Sequence, residues 1–329
     1  MNNRVLITGA AGFIGQHLVL HLAGDGCDVL ATDIKQQPAA FTALPGIEYI
    51  PADIAKASAL ASQLKDVDVV YHLASKHLEI SVPDAEFRRI NVRALETFMM
   101  ECVNAGVSSF VYVSSVGVYG HVSRPPASEE AEKHPDNIYE KTKLEAEAIA
   151  KEIASQKRMK VIIVRPSWVF GRGCPRTDKL IASLRKGRFF YVGQGGNLRH
   201  PIYIDDALDG IIAAGEADDG MSGSVYNLAG PEWMLLQDMV SRTADALGTS
   251  RPAIRVPRSM ALAVFWAAEK VFSTLGRNAP VSRRSLAFFE NDNAFDTSKA
   301  ERELSFSPKV GFDEGIRKVL DNPCNSLPA

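Results

Sequence analysis

At 329 residues, 46% of them hydrophobic and 23% charged, the chain is long enough for one large domain or two fused ones around a substantial core. A formal net charge of −2 argues against nucleic acid as a partner. The longest apolar run, residues 260–268, is too short to span a bilayer, and the N-terminus leads straight into a strand pattern with no secretory signal. A cytoplasmic chain without stable membrane insertion is therefore expected. The four cysteines, Cys27, Cys102, Cys174 and Cys324, lie far apart without metal-ligand spacing, so reduced thiols and no metal are expected.

Residues 5–8 form a short apolar run, as a strand buried on both faces would. Gly9, Gly12 and Gly15 follow at once. The first permits a tight turn, the second lets backbone approach a phosphate, and the third lets the next helix lie close on the strand. That helix, about 12–23, aims its N-terminal amides and dipole at a dinucleotide pyrophosphate. A second strand, 28–32, ends at Asp33, whose carboxylate suits ribose hydroxyls and repels a 2′-phosphate, which favours NAD over NADP. After a third strand, 48–50, Asp53 and Ile54 stand where an acid could meet the adenine amino group or simply cap a loop.

Strands at 67–72, 110–114 and 161–164 alternate with helical patterns at 84–105 and Ile138–Ser155. This βα rhythm implies an α/β fold, a doubly wound parallel sheet of the Rossmann type. After Pro166 the rhythm breaks, and Val225–Leu228 returns one strand to the sheet. The expected division is an NAD-binding domain of residues 1–165 plus about 200–230, with a smaller substrate-binding region of about 166–199 and 231–329. Residues 260–268, with Val271, Phe272 and Leu275, read as an amphipathic helix with its apolar face in the core.

The strand at 110–114 runs into Ser114 and Ser115. Tyr139 opens the next long helix, and Lys143 lies one turn on, on the same face. A phenol is a poor base at neutral pH, since its ordinary pKa is about 10. A nearby ammonium and the positive nicotinamide favour phenolate. Tyr139 can then take the proton of an alcohol while hydride leaves the same carbon, and Ser115 can orient the oxygen. Lys143 can also hold the nicotinamide ribose.

These motifs resemble the extended short-chain dehydrogenase/reductase family over nearly the whole chain. Thr8-Gly9-x-x-Gly12-Phe13-Ile14-Gly15 is similar to its glycine motif, and His72-Leu73-Ala74-Ser75 to the segment beneath the cofactor. Asn91-Val92 resembles its supporting helix asparagine. Ser114-Ser115-x-x-Val118-Tyr119-Gly120, Tyr139-x-x-x-Lys143 and Arg165-Pro166-x-x-Val169-Phe170-Gly171 follow in order. Arg199-His200-Pro201-Ile202-Tyr203-Ile204-Asp205-Asp206 resembles the segment whose arginine holds a nucleotide-sugar diphosphate. Phe295-Asp296-x-Ser298-Lys299-Ala300 and Pro308 resemble the C-terminal signature.

The resemblance implies NAD as cofactor, a homodimer built on residues 84–105 and Ile138–Ser155, and a nucleotide-sugar as substrate. It also implies cofactor contacts from Gly9, Gly12, Phe13, Ile14, Gly15, Asp33, Asp53, Ile54, Leu73, Ala74, Ser75, Asn91, Ser114, Tyr139, Lys143 and Pro166. Ser115, Trp168 and Arg199 would face the substrate, and Ser115, Tyr139 and Lys143 would act on it. Val116 and Gly117 stand where the family's dehydratases carry an acid, which disfavours elimination. Trp168 replaces a common asparagine, and residues 290–293 lack a second arginine motif, although Arg283 and Arg284 lie nearby. The leading expectation is 4-epimerisation of a nucleotide-sugar through a transient ketone. Net dehydrogenation of a 3β-hydroxysteroid or other apolar alcohol is the alternative, and a non-catalytic NAD-binding protein is third.

Overall fold

A computed structural model describes residues 4–56, 58–77, 82–156, 158–274 and 286–321. Leu275, Arg283, Arg284 and Cys324 lie outside the described residues.

Seven strands form one fully parallel sheet: β1 (Arg4–Thr8), β2 (Asp28–Asp33), β3 (Ile47–Pro51), β4 (Val69–His72), β5 (Ser109–Val113), β6 (Lys160–Pro166) and β7 (Val225–Leu228). Their order is β7-β6-β5-β4-β1-β2-β3. The order reverses between β1 and β4, so a crevice opens at the carboxyl ends of those two strands.

Alternation along β1 shows why the sheet is covered on both sides. Val5 and Ile7 enter one apolar cluster and Leu6 the other. α1 (Phe13–Gly24) supplies Leu18, Val19 and Leu22 to the first face, together with Ile211 and Ala214 of α6 (Ile204–Glu216). On the second face lie Leu95, Phe98, Met99 and Cys102 of α3 (Leu95–Ala105) and Ala146, Ala150 and Ile153 of α4 (Ile138–Ser155). Phe98, Met99 and Cys102 are thus core residues.

The long helix expected over 84–105 forms without a break, but its middle is widened. It comprises α2 (Asp84–Arg88), a π turn at Arg89–Ala94 and α3. The wider turn holds Asn91 buried beneath the crevice.

Beyond β6, α5 (Pro175–Arg185), α7 (Leu236–Ala246), α8 (Arg258–Thr274), α9 (Ala287–Glu290), α10 (Ser298–Leu304) and α11 (Phe312–Asp321) pack around three two-stranded ribbons. One ribbon joins Trp168–Phe170 to Pro201–Tyr203, and another joins Leu198–Arg199 to Met234–Leu235. α8 packs one face into the core, as expected, and leaves further apolar residues exposed. Ala261 and Phe265 are buried, whereas Met260, Val264 and Trp266 face outward. Among the described residues, no helix is long and apolar enough to cross a membrane.

Candidate active site

The glycine loop leaves no room for side chains. Gly9 has φ +71°, and a Cβ there would stand 2.7 Å from the Ala74 nitrogen. A Cβ on Gly15 would stand 2.2 Å from the Gly9 carbonyl oxygen. Gly12 begins α1 without a side-chain cap, so the first-turn amides point into the crevice unshielded. Asp33 closes the other side. Its Oδ2 accepts from the Ala11 N–H at 3.1 Å and its Oδ1 from the Lys35 N–H at 3.0 Å, which aims the carboxylate over the loop. A cradle that a single Cβ would fill, an open helix N-terminus and an acid at the β2 end together fit a dinucleotide without a 2′-phosphate. Asp53, farther out, accepts from the Ala55 N–H at 2.9 Å within its own turn, and Ile54 packs on the core.

Asn91 joins the cofactor side to the catalytic side. Its Oδ1 accepts from the Lys76 N–H at 2.6 Å, and its Nδ2 donates to the Lys76 carbonyl and to Thr142 Oγ1, both at 3.0 Å. The segment Leu73–Ala74–Ser75 is thereby clamped against α4. Both ends of the Asn91 amide are bonded to protein, so its part is to position that segment.

α4 begins with a capping box. Asn137 Oδ1 accepts from the Glu140 N–H at 3.1 Å, and the Glu140 carboxylate accepts from the Asn137 N–H at 3.4 Å. The cap fixes Tyr139 in the first turn, at the crevice. The Tyr139 hydroxyl is hydrogen-bonded to Ser75. Its expected neighbour Ser115 instead accepts the Gly117 N–H at 3.1 Å, capping a short 3₁₀ turn. Burial pushes the Tyr139 phenol up to about 12, while the charge of Arg176, in the first turn of α5, and the bond to Ser75 pull it back. His77 meets the ring edge-on at 4.6 Å.

Lys143 is buried. Its Nζ donates to the Val113 carbonyl at 2.7 Å and stands 5.9 Å from the Tyr139 ring centre. Burial lowers its pKa to about 7, with Glu147 opposing. Glu147, one turn farther along α4, anchors the network behind the site. It forms a two-pronged ion pair with Arg165 at 2.6 and 2.9 Å and accepts from Ser114 Oγ at 2.6 Å. Arg165 also donates to the Tyr119 hydroxyl at 2.6 Å. The end of β5, the end of β6 and α4 are thus tied together directly beneath Lys143.

Across the crevice stand Arg199 and Trp168, the residues expected to face a substrate. Arg199 is only 5% exposed. It lies 4.6 Å over the Phe288 ring, donates to the Ala287 carbonyl at 3.3 Å, and meets the Asn293 amide oxygen in the orientation that satisfies that amide. Among the described residues no carboxylate lies within ion-pair distance of Arg199. Burial lowers its pKa to about 9, and Arg176 adds to the fall while Asp292 opposes it. Trp168 packs edge-on against Phe288 at 6.1 Å. Among the described residues, the Trp168 indole N–H and Arg199 Nε are buried donors without a hydrogen-bond partner. Pro166, at the end of β6, pairs in register with Leu228 and leads on to Trp168.

Residues 5–229 match the NAD dependent epimerase/dehydratase family. The chain belongs to that family. It is 26% identical to a 3beta-hydroxysteroid-dehydrogenase/decarboxylase isoform of Arabidopsis thaliana, the match covering 96% of this chain and 79% of the relative. It is also 26% identical to an N-acetyl-alpha-D-glucosaminyl-diphospho-ditrans,octacis-undecaprenol 4-epimerase of Escherichia coli O157:H7, over 97% of this chain and 95% of that one. A UDP-glucuronic acid 4-epimerase from Bacillus cereus, solved with UDP-glucuronic acid and NAD, is similar in structure. Its TM-score is 0.78 at 25% identity, and the match covers 97% of this chain and 98% of that one. The protein is an NAD-dependent enzyme of the extended short-chain dehydrogenase/reductase type.

Three features of the site were not foreseen from sequence: the bond from Tyr139 to Ser75, the reach of Arg176, and the Arg165–Glu147–Ser114 network.

Proposed function

We propose that the enzyme oxidises a secondary alcohol on a sugar carried by a diphosphate, and that the outcome is 4-epimerisation of a nucleotide-sugar. The observation that carries this reading is Arg199, a buried cation with one donor unused and no carboxylate partner among the described residues. A charge left in that state calls for an anion from outside the chain.

The glycine loop, Asp33, Asn91 and the Leu73–Ala74–Ser75 segment are assigned to holding and framing NAD, and Lys143 to its ribose. NAD⁺, when bound, supplies the hydride acceptor. Ser115 and Tyr139 hold the substrate hydroxyl, and Tyr139 takes its proton as the carbon–hydrogen bond breaks and the carbonyl forms. Lys143 and Arg176 place positive charge near the phenol and favour its ionised form. The ketone, turned within the pocket, takes hydride on its other face and the proton back from Tyr139, so no net redox change results. Val116 and Gly117 offer no acid for elimination.

The aromatic wall of Trp168, Phe288 and Phe289 favours a second reading, net dehydrogenation of an apolar alcohol. Release of NADH into solution would mark that reading, and epimer formation without NADH release would mark the first. Tyr139→Phe is expected to retain NAD affinity and to lower kcat by roughly 10²-fold or more on either substrate. Near-normal turnover would remove Tyr139 from the role of base.

We place the enzyme in the cytoplasm as a homodimer built on residues 84–105 (α2, the π turn and α3) and α4. Met100 and Ile149 on these helices are only partly buried where they pack against the core. Light scattering at micromolar concentration is expected to give twice the chain mass, and a monomer would reject the pairing.

A further inference from the structure

The capping box sets where α4 begins, but it does not set how the Tyr139 ring is turned. The ring belongs to none of the apolar clusters among the described residues, so the core does not lock it. The bond from its hydroxyl to Ser75 fixes one point and leaves the ring free to tilt. The Lys143 ammonium, 5.9 Å from the ring centre, stands at the far limit of a cation–π contact. The close ring contact is His77. Its imidazole stands 4.6 Å from the phenol, centre to centre, with the two planes at 71°. Edge-on aromatic pairs span about 4.5–7 Å, so this pair lies at the tight end of the range.

A side chain can hold another only where its own backbone is held. The N–H and the carbonyl of Lys76 are both taken by the Asn91 amide, at 2.6 and 3.0 Å. That carbonyl belongs to the peptide joining Lys76 to His77. Asn91 Nδ2 also donates to Thr142 Oγ1 at 3.0 Å, and Thr142 Oγ1 donates to the Tyr139 carbonyl at 2.8 Å. The contacts therefore close into a circuit that runs from Asn91 through Lys76, His77, Tyr139 and Thr142 back to Asn91. It ties together the π turn, the segment after β4 and the start of α4. His77 is exposed, so its ring fills no part of the core. Desolvation against its neighbours, and then the charges of Arg176 and Lys143, lower its pKa to about 4, so the imidazole is neutral near pH 7. It offers Tyr139 a ring rather than a charge.

We propose that His77 is a positioning residue for the catalytic base: its ring, carried on the peptide that Asn91 clamps, holds the Tyr139 phenol turned towards the alcohol. This role presupposes Tyr139 as the base and is the same for a nucleotide-sugar and for an apolar alcohol. No proton passes through His77, and it need not touch the substrate.

The test labels the full chain with 3-fluorotyrosine and reads the Tyr139 fluorine by NMR, with NAD and without substrate. The Tyr139 signal is the one missing from Tyr139→Phe. Held against the imidazole, it should lie apart from the signal of free fluorotyrosine. His77→Ala should move it most of the way back, and His77→Phe, which keeps a ring and loses both nitrogens, should keep it displaced. With UDP-glucose as the turnover probe, His77→Ala should lower kcat roughly three- to tenfold, the scale of one aromatic pair. KM and NAD affinity should be unchanged, and His77→Phe should restore kcat. In a Tyr139→Phe background His77→Ala should have no further effect. An unmoved fluorine signal in His77→Ala would overturn the proposal. So would an equal loss of kcat in the Ala and Phe variants, which would make the imidazole nitrogens the working part. Absence of turnover on the probe by the wild type would count against the nucleotide-sugar reading alone, since the fluorine signal decides the role of His77 without substrate.

Discussion

Two buried arginines, one on each side of the crevice, show how differently the same side chain can be accommodated. Arg165 meets Glu147 through two parallel bonds and gives a third to Tyr119. Burial works against its charge, and Glu147 more than offsets that, so its pKa lies above the ordinary value. Arg199 is also buried, but among the described residues it is held by a ring face, a carbonyl and an amide rather than by an ion pair, and burial lowers its pKa to about 9. A charge satisfied by the protein holds the fold together. A charge left without an ion-pair partner carries an uncompensated desolvation cost, which on the proposed function a substrate anion offsets.

The first way to break this comparison is to remove Arg165. Arg165→Met leaves Glu147 charged, dry and alone, and should cost about 3–5 kcal/mol of stability. Denaturant unfolding monitored by circular dichroism reads this directly. Removing both partners, as Arg165→Met with Glu147→Leu, should restore much of the loss, because the cost lies in the orphaned carboxylate. If the double variant were no better than the single, the pair would not be the unit that holds β5, β6 and α4 together.

The same substitution on the other side should behave in the opposite manner. Arg199→Met removes a buried charge that has no carboxylate within ion-pair distance among the described residues, so stability should hold or rise. Substrate binding should suffer instead. A charge-assisted hydrogen bond is worth about 1.5–3 kcal/mol, or roughly ten- to a hundredfold in KM, with a smaller effect on kcat. Loss of stability comparable to that of Arg165→Met would make Arg199 structural and leave the proposed substrate class without its main support.

The two arginines also differ in how far they could be read before the structure. Glycines, Asp33, Ser115, Tyr139 and Lys143 announce themselves because each sits at a fixed offset within one βα unit, and local geometry sets what it can reach. The parallel sheet and its returning strand at Val225–Leu228 were legible for the same reason. The pairing of Arg165 with Glu147 was not, since it joins a strand to a helix through tertiary packing. The π turn at Arg89–Ala94 was hidden because one widened turn barely disturbs helical periodicity over 22 residues. The exposure of Met260, Val264 and Trp266 on α8 was hidden for a different reason. The helix is apolar on more than one side, so sequence alone cannot say which side faces the core.

Arg176 sharpens the comparison with the smallest expected effect, because it lies between the two sides and acts on both. Its charge favours the ionised form of Tyr139 and disfavours that of Arg199. Proton abstraction needs phenolate, so the rate of alcohol oxidation should rise with pH as Tyr139 ionises in the bound complex. Arg176→Ala takes away a cation that lowers the Tyr139 pKa. The pKa must therefore rise, and the ascending limb of kcat against pH should move to higher pH. The high-pH plateau should stay nearly level, because Arg176 touches neither the transferred proton nor the hydride. Arg176→Lys keeps the charge and should leave the limb close to that of the wild type. If Arg176 served only to bind substrate, its removal would raise KM and leave the kcat limb where it was. A stationary limb in Arg176→Ala would therefore confine Arg176 to the Arg199 side of the crevice and return control of the phenol to Lys143.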